Sequence, residues 1–147
     1  MFKGKLRAIT SLSLLLAMVG CGDGRPVLKL PTRHPVQGKV SYRGQPAAGF
    51  RVVFHPMGDI GALKFAPSAV TGTDGSFKLR SYDPHDGAPP GEYAVTFEWP
   101  DHFISDTDPD PVPEVDQLRG AYSRPEQSKF KVNVVAGENV IPPFDLR

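Results

Sequence analysis

The sequence has little of what most binding and catalytic chemistry needs. One cysteine among 147 residues, Cys21, excludes a disulfide within the chain and any thiolate cluster for zinc. No apolar run reaches the roughly 20 residues of a membrane-spanning helix. No stretch beyond residue 20 repeats its apolar residues at the helical period. Excess positive charge is also missing, with 17 Lys and Arg against 16 Asp and Glu. Three of the basic residues, Lys3, Lys5 and Arg7, lie in the first twenty positions, which hold no acid. Beyond them 14 bases face 16 acids, a charge of −2. That balance excludes a nucleic-acid partner and attraction to anionic lipid. There is no phosphate-binding glycine loop, no G-x-S-x-G elbow and no histidine pair spaced for zinc. No cofactor is expected.

What is present begins at the N-terminus. Lys3, Lys5 and Arg7 precede an apolar stretch from Ala8 to Val19, too short to span a bilayer and suited to a secretion signal. The stretch ends in Met18-Val19-Gly20-Cys21. This junction resembles the bacterial lipobox, with Met18 where leucine is commoner. Small Gly20 leaves room for a signal peptidase to cut before Cys21. The Cys21 thiol is the one good nucleophile there for taking a diacylglyceryl group. The resemblance implies a lipoprotein: residues 1–20 a cleaved signal, Cys21 the lipidation site, and residues 21–35 a proline-containing tether. The partner it implies is a membrane, held through the N-terminal lipid. Gly22, rather than an acid, follows the cysteine, which favours the outer membrane of the cell envelope over the inner one.

Residues 36–147 read as one all-β domain. Val36, Gly38, Val40 and Tyr42 alternate with polar neighbours, and Phe50, Val52 and Phe54 line one face of the next strand. Thr73-Asp74-Gly75 reads as a hairpin turn. Tyr93, Val95, Phe97 and Trp99 alternate with Glu92, Ala94, Thr96 and Glu98, and Phe130, Val132 and Val134 with Lys129, Lys131 and Asn133. Sixteen prolines and fifteen glycines suit frequent turns. The expectation is an antiparallel β-sandwich of about seven strands, transthyretin-like or immunoglobulin-like. Phe54, Phe77, Tyr93, Val95, Phe97 and Phe130 should be buried in it.

The order of these pieces resembles the carboxypeptidase regulatory-like family, a transthyretin-like sandwich. The matching residues are Gly38-Lys39-Val40, Gly44-Gln45-Pro46, Val52-Val53-Phe54, the run from Thr73 through Leu79 (one residue shorter at its turn), and Gly91-Glu92-Tyr93-Ala94-Val95. Tyr122, Pro125, Ser128, Gly137-Glu138-Asn139 and Phe144-Asp145-Leu146 are similar to small single-domain envelope lipoproteins. The family shares no catalytic residues. Hydroxyisourate hydrolase, an enzyme on the transthyretin fold, carries a closing Y-R-G-S; Tyr42-Arg43-Gly44-Gln45 stands in the first turn instead.

The sequence therefore predicts a non-enzymatic binding or structural module of the envelope, with a protein or glycan partner. The alternative is a hydrolase or transferase with its site in residues 100–127. That segment carries Asp106, Asp108, Asp110, Glu114 and Asp116. Asp106, Asp108 and Asp110 open like a calcium loop, but Pro111 and Gln117 stand where such a loop needs Gly and Glu. An exposed, mobile loop without a tight ion site is expected. His34, His55, His85 and His102 fall in separate loops or strand ends. An isopeptide between Lys39 and Asn139 has the right order of residues, but Lys39 shares its face with polar side chains.

Overall fold

A computed structural model describes residues 30–61, 66–103 and 112–147. β1 (Val36–Tyr42) turns Val36 and Val40 inward. Gly38 lies between them because a Cβ there would meet the Phe77 ring at 2.8 Å. β2 (Gln45–Pro46) pairs back on the end of β1. β3 (Arg51–Pro56) buries Val52 and Phe54 and turns Arg51, Val53 and His55 to the other face. β4 (Ser68–Val70), β5 (Ser76–Lys78) and β6 (Gly91–Glu98) follow, then a 3₁₀ turn, η1 (Pro125–Gln127), and β7 (Lys131–Val134), β8 (Asn139–Val140) and β9 (Phe144–Leu146). No described helix is long and apolar enough to cross a membrane.

These nine strands form two sheets. One has the order β4-β3-β6-β7; in the other β1 lies centrally, with β2 and β5 antiparallel to it and β8 and β9 parallel. The expectation of about seven antiparallel strands is corrected on both counts. Pro142-Pro143 supplies no backbone donors and breaks the last strand into β8 and β9. The parallel pairing joins segments about a hundred residues apart, and alternation carries no information on such pairing.

The Asp74-Gly75 turn also differs from a simple hairpin. β4 and β5 bond at their far ends, Ser68 N to Arg80 O at 2.9 Å and Gly72 N to Ser76 O at 2.8 Å, but between these points they diverge into different sheets. The turn is held on β1 by Val40 N to Gly75 O at 2.9 Å. A Cβ at Gly75 would lie 2.3 Å from the Val40 oxygen, and its φ of 75° is the left-handed one that glycine adopts freely.

The core runs between the sheets, with Phe50, Phe54, Phe77, Leu79, Tyr93, Val95, Phe97 and Leu146 buried. Phe130 is only half-buried, because it packs on the core from the strand's margin. β6 departs from simple alternation: Ala94 and Thr96 are buried too, since η1 packs over β6 and His55 hydrogen-bonds Thr96. The domain also begins earlier than Val36. His34 bridges to Ala88, and Arg33 Nε lies 2.8 Å from Asp86.

Candidate functional site

A polar cluster lies on the outer face of β3 and β6. Arg51 and Glu98 are register partners on neighbouring strands. Arg51 Nη1 donates to Glu98 Oε2 at 3.0 Å and Nη2 to Glu114 Oε2 at 2.6 Å, while the guanidinium stands 5.7 Å from the Phe103 ring centre. Partial burial opposes the charge on Arg51, but the hydrogen bonds to both carboxylates outweigh it and raise the pKa above its ordinary value. Arg51, Glu98, Pro100, Glu114 and Asp116 line a cavity of about 210 Å³.

Glu114 and Asp116 form one wall of this cavity, and their segment is hydrogen-bonded to the end of β6. Asp101 N donates to Val115 O at 3.1 Å and Gln117 N to Trp99 O at 2.8 Å, so the chain folds back on the end of β6. Asp116 accepts from Trp99 N and Leu118 N through Oδ1 and from Gly120 N through Oδ2. Asp101 Oδ1 accepts from Val115 N at 3.0 Å and lies 2.7 Å from His102 Nδ1. Of the segment expected to be exposed, Val112 and Val115 are exposed, while Leu118 is buried. Glu114 and Asp116 have Arg51 and backbone N–H groups as partners. Asp106, Asp108 and Asp110 lie outside the described residues, as do Gly20 and Cys21.

The histidines stay apart. His34 Nδ1 accepts from Gly137 N at 3.0 Å, and His85 sits in the turn at a φ of 61°. His102 Nε2 faces the Val112 carbonyl at 3.0 Å. His55 Nε2 lies 2.8 Å from Thr96 Oγ1. Burial lowers the His55 pKa, with Glu126 and Glu98 opposing, which favours the neutral ring. A neutral imidazole beside a hydroxyl is the pairing of an activated nucleophile. Thr96 is only 3% exposed, however, so its hydroxyl faces protein rather than a substrate. Asp86, in the turn after β5, is partly buried. N–H groups of Ser81, Asp83 and Tyr82, with Arg33, outweigh that burial and hold its pKa below the usual value.

Asn139, offered by sequence as a crosslink partner, is buried and fully engaged. Its Nδ2 donates to Val135 O and Gly137 O at 3.0 Å and to Pro35 O at 3.3 Å, and its Oδ1 accepts from Val135 N at 2.9 Å. Lys39 is exposed and stands 3.8 Å from Asp74. Sequence reading passed over Arg51. Its outward position next to Val52 was the available signal, but the register that sets it opposite Glu98 is tertiary. Among the described residues no group of three or more His, Cys, Asp or Glu side chains is disposed to hold a metal.

No protein-family model and no curated protein matches the chain. Among solved structures it is similar to a 9R-lipoxygenase from Cyanothece, at 16% identity and a TM-score of 0.43, over 78% of this chain and 16% of that one. It is also similar to a DUF3823 family protein from Parabacteroides merdae, at 17% identity and a TM-score of 0.40, over 76% of this chain and 45% of that one. The chain therefore spans less than half the length of either neighbour.

Proposed function

We propose that the protein is a non-enzymatic envelope module, a carboxypeptidase regulatory-like sandwich anchored to a membrane by lipid on Cys21. The observation that carries the reading is the N-terminal order of bases, a short apolar run and Gly20-Cys21. Two or more acyl chains, at about 0.8 kcal/mol for each buried methylene, make a stable anchor. Gly22 after the cysteine favours the outer membrane over the inner one. The internal pairing of the polar groups supports a module over an enzyme: Arg51, Asp86, Asp116 and Asn139 hold backbone and neighbouring strands in place.

Growth of a bacterial host with labelled palmitate tests the anchor. The wild-type chain should carry label and fractionate with membranes, and Cys21→Ser should carry none. Label retained by the Cys21→Ser chain would overturn the assignment.

A further inference from the structure

The fold leaves one strand edge open beside a groove lined by both apolar and polar side chains. β7 pairs with β6 and with no other described strand. Its backbone parity is set by Val95 N donating to Phe130 O at 2.9 Å. Phe130, Val132 and Val134 therefore turn their peptide groups toward β6, and Lys131 and Asn133 turn theirs away. Val135, of the same parity as Lys131 and Asn133, confirms the direction, since its N–H reaches sideways to Asn139 Oδ1. Across the groove β8 behaves alike: Asn139 N and Ile141 N donate to β1, so Val140 between them presents its peptide groups outward.

The space between these two edges is a groove of about 500 Å³. Apolar Val132, Val140 and Phe144 line it together with polar Lys131, Asn133 and Glu138. Val140 is 70% exposed, a large apolar side chain left on the rim. The outer face of the same edge carries two lysines, with Glu92 of β6 on the same face opposite Asn133. Lys129 and Lys131 are both exposed, and neither forms an ion pair with a described residue; the Lys129 ammonium stands 5.2 Å from the Phe130 ring centre. Arg124, also without an ion pair among the described residues, lines a second cavity together with Lys129. Glu138, at the groove's other end, is engaged by Gln37 Nε2 at 3.1 Å.

We propose that the β7 edge accepts an extended segment of a partner protein as an added strand, with acidic residues on one face and apolar residues on the other. Lys131 and Asn133 supply the main-chain hydrogen bonds. The acidic face of the segment lies beside Lys129 and Lys131, and the apolar side chains fill the groove. The lysines that select an acidic strand disfavour the same edge of a second copy. This goes beyond the anchored-module reading by naming the chemistry of the partner, and it does not depend on the lipid.

The test uses the full chain in detergent micelles and a labelled peptide of about ten residues alternating Val and Glu. Fluorescence anisotropy should show saturable binding, and hydrogen exchange should slow at the Lys131 and Asn133 amides. The double change Lys129→Glu, Lys131→Glu should weaken binding by at least about tenfold. The same peptide N-methylated at alternate amides should not bind, a control that needs no variant to fold. Asn133→Pro removes only an outward amide and should abolish binding without shifting the thermal midpoint. The proposal is overturned by no saturable binding up to millimolar peptide, by equal binding of the N-methylated or a Val–Lys peptide, or by protection elsewhere. Dimerisation through this edge in sedimentation would also overturn it, in favour of a second copy. None of these outcomes moves palmitate labelling at Cys21, so the two readings fail separately.

Discussion

Tyr93 stands near the start of β6 and is fully buried, with its hydroxyl donating to Pro89 O at 2.7 Å. A tyrosine tied to backbone a few residues upstream of its own strand is a recurrent corner of Greek-key sandwiches. Burial pushes its pKa up to about 12, so the hydroxyl stays a donor across the physiological range. Tyr93→Phe should leave the Pro89 carbonyl buried without its partner and cost about 1–3 kcal/mol in a urea melt. Stability equal to wild type would deny the corner its role. Sequence showed that Tyr93 faces inward, because alternation along the strand is local. It did not show where the hydroxyl goes, since the path of Pro89-Pro90 into β6 decides that. Gly75 divides the same way. The Asp-Gly pair announces a turn, but the 2.3 Å approach to Val40 that forbids a side chain comes from β1, far along the chain.

At the scale of elements, the segment after β6 is the least legible part. Its run of acids read as an exposed loop, because the partners of those acids are set by the fold and are not visible in sequence. Asp116 is spent on three backbone N–H groups and Glu114 on Arg51, contacts that exist only once the segment folds back over β3 and β6. His102 closes the described base of that fold. It lies between two acceptors, the Val112 carbonyl and the Asp101 carboxylate. Only the doubly protonated ring donates to both. The Val112 carbonyl raises its pKa most, desolvation opposes it, and Asp101 and Glu114 add to the rise, so the net shift is upward. The sign follows from linkage: the contribution of the clasp is complete below the ordinary value of 6.5 and is lost as pH rises through the raised folded-state value. Proton NMR of the imidazole C–H signals should show His102 titrating above that value and His55, which burial lowers, below it. Asp101→Asn should move the His102 midpoint down. Coincident midpoints for the two rings, or no movement in the variant, would contradict the clasp.

Across the whole molecule the two sheets are joined by aromatic rings. Phe97 of β6 has its centre 5.2 Å from both Phe130 and Phe144 and 6.5 Å from Tyr122. Phe144 of β9, in the other sheet, stacks on Phe77 of β5 at 6.2 Å, and Phe77 lies 6.3 Å from Phe54 of β3. The chain of rings thus crosses from sheet to sheet. Phe54, Phe77 and Phe97 face inward by the alternation of their own strands, so their place in the core was readable from sequence. The meeting of Phe97 with Phe144 was not, because it depends on how β9 returns beside β1. A cavity left by Phe97→Ala would be walled by strands of both sheets, and it could close only if the sheets moved together. The expected cost is therefore about 3–5 kcal/mol. Phe130→Ala should cost less, since that ring keeps contact with solvent. Lys78→Ala, on an exposed side chain, should fall within about 0.5 kcal/mol of wild type. Urea melts followed in parallel by Trp99 fluorescence and by circular dichroism check both magnitude and cooperativity. Trp99 stacks 5.1 Å from Phe50 at one end of the core, while circular dichroism reports the strands of both sheets. Superimposed transitions, shifted together in Phe97→Ala, are expected if the rings make one core. Two separated transitions, or a Phe97→Ala chain as stable as Lys78→Ala, would mean that the sheets hold themselves up independently.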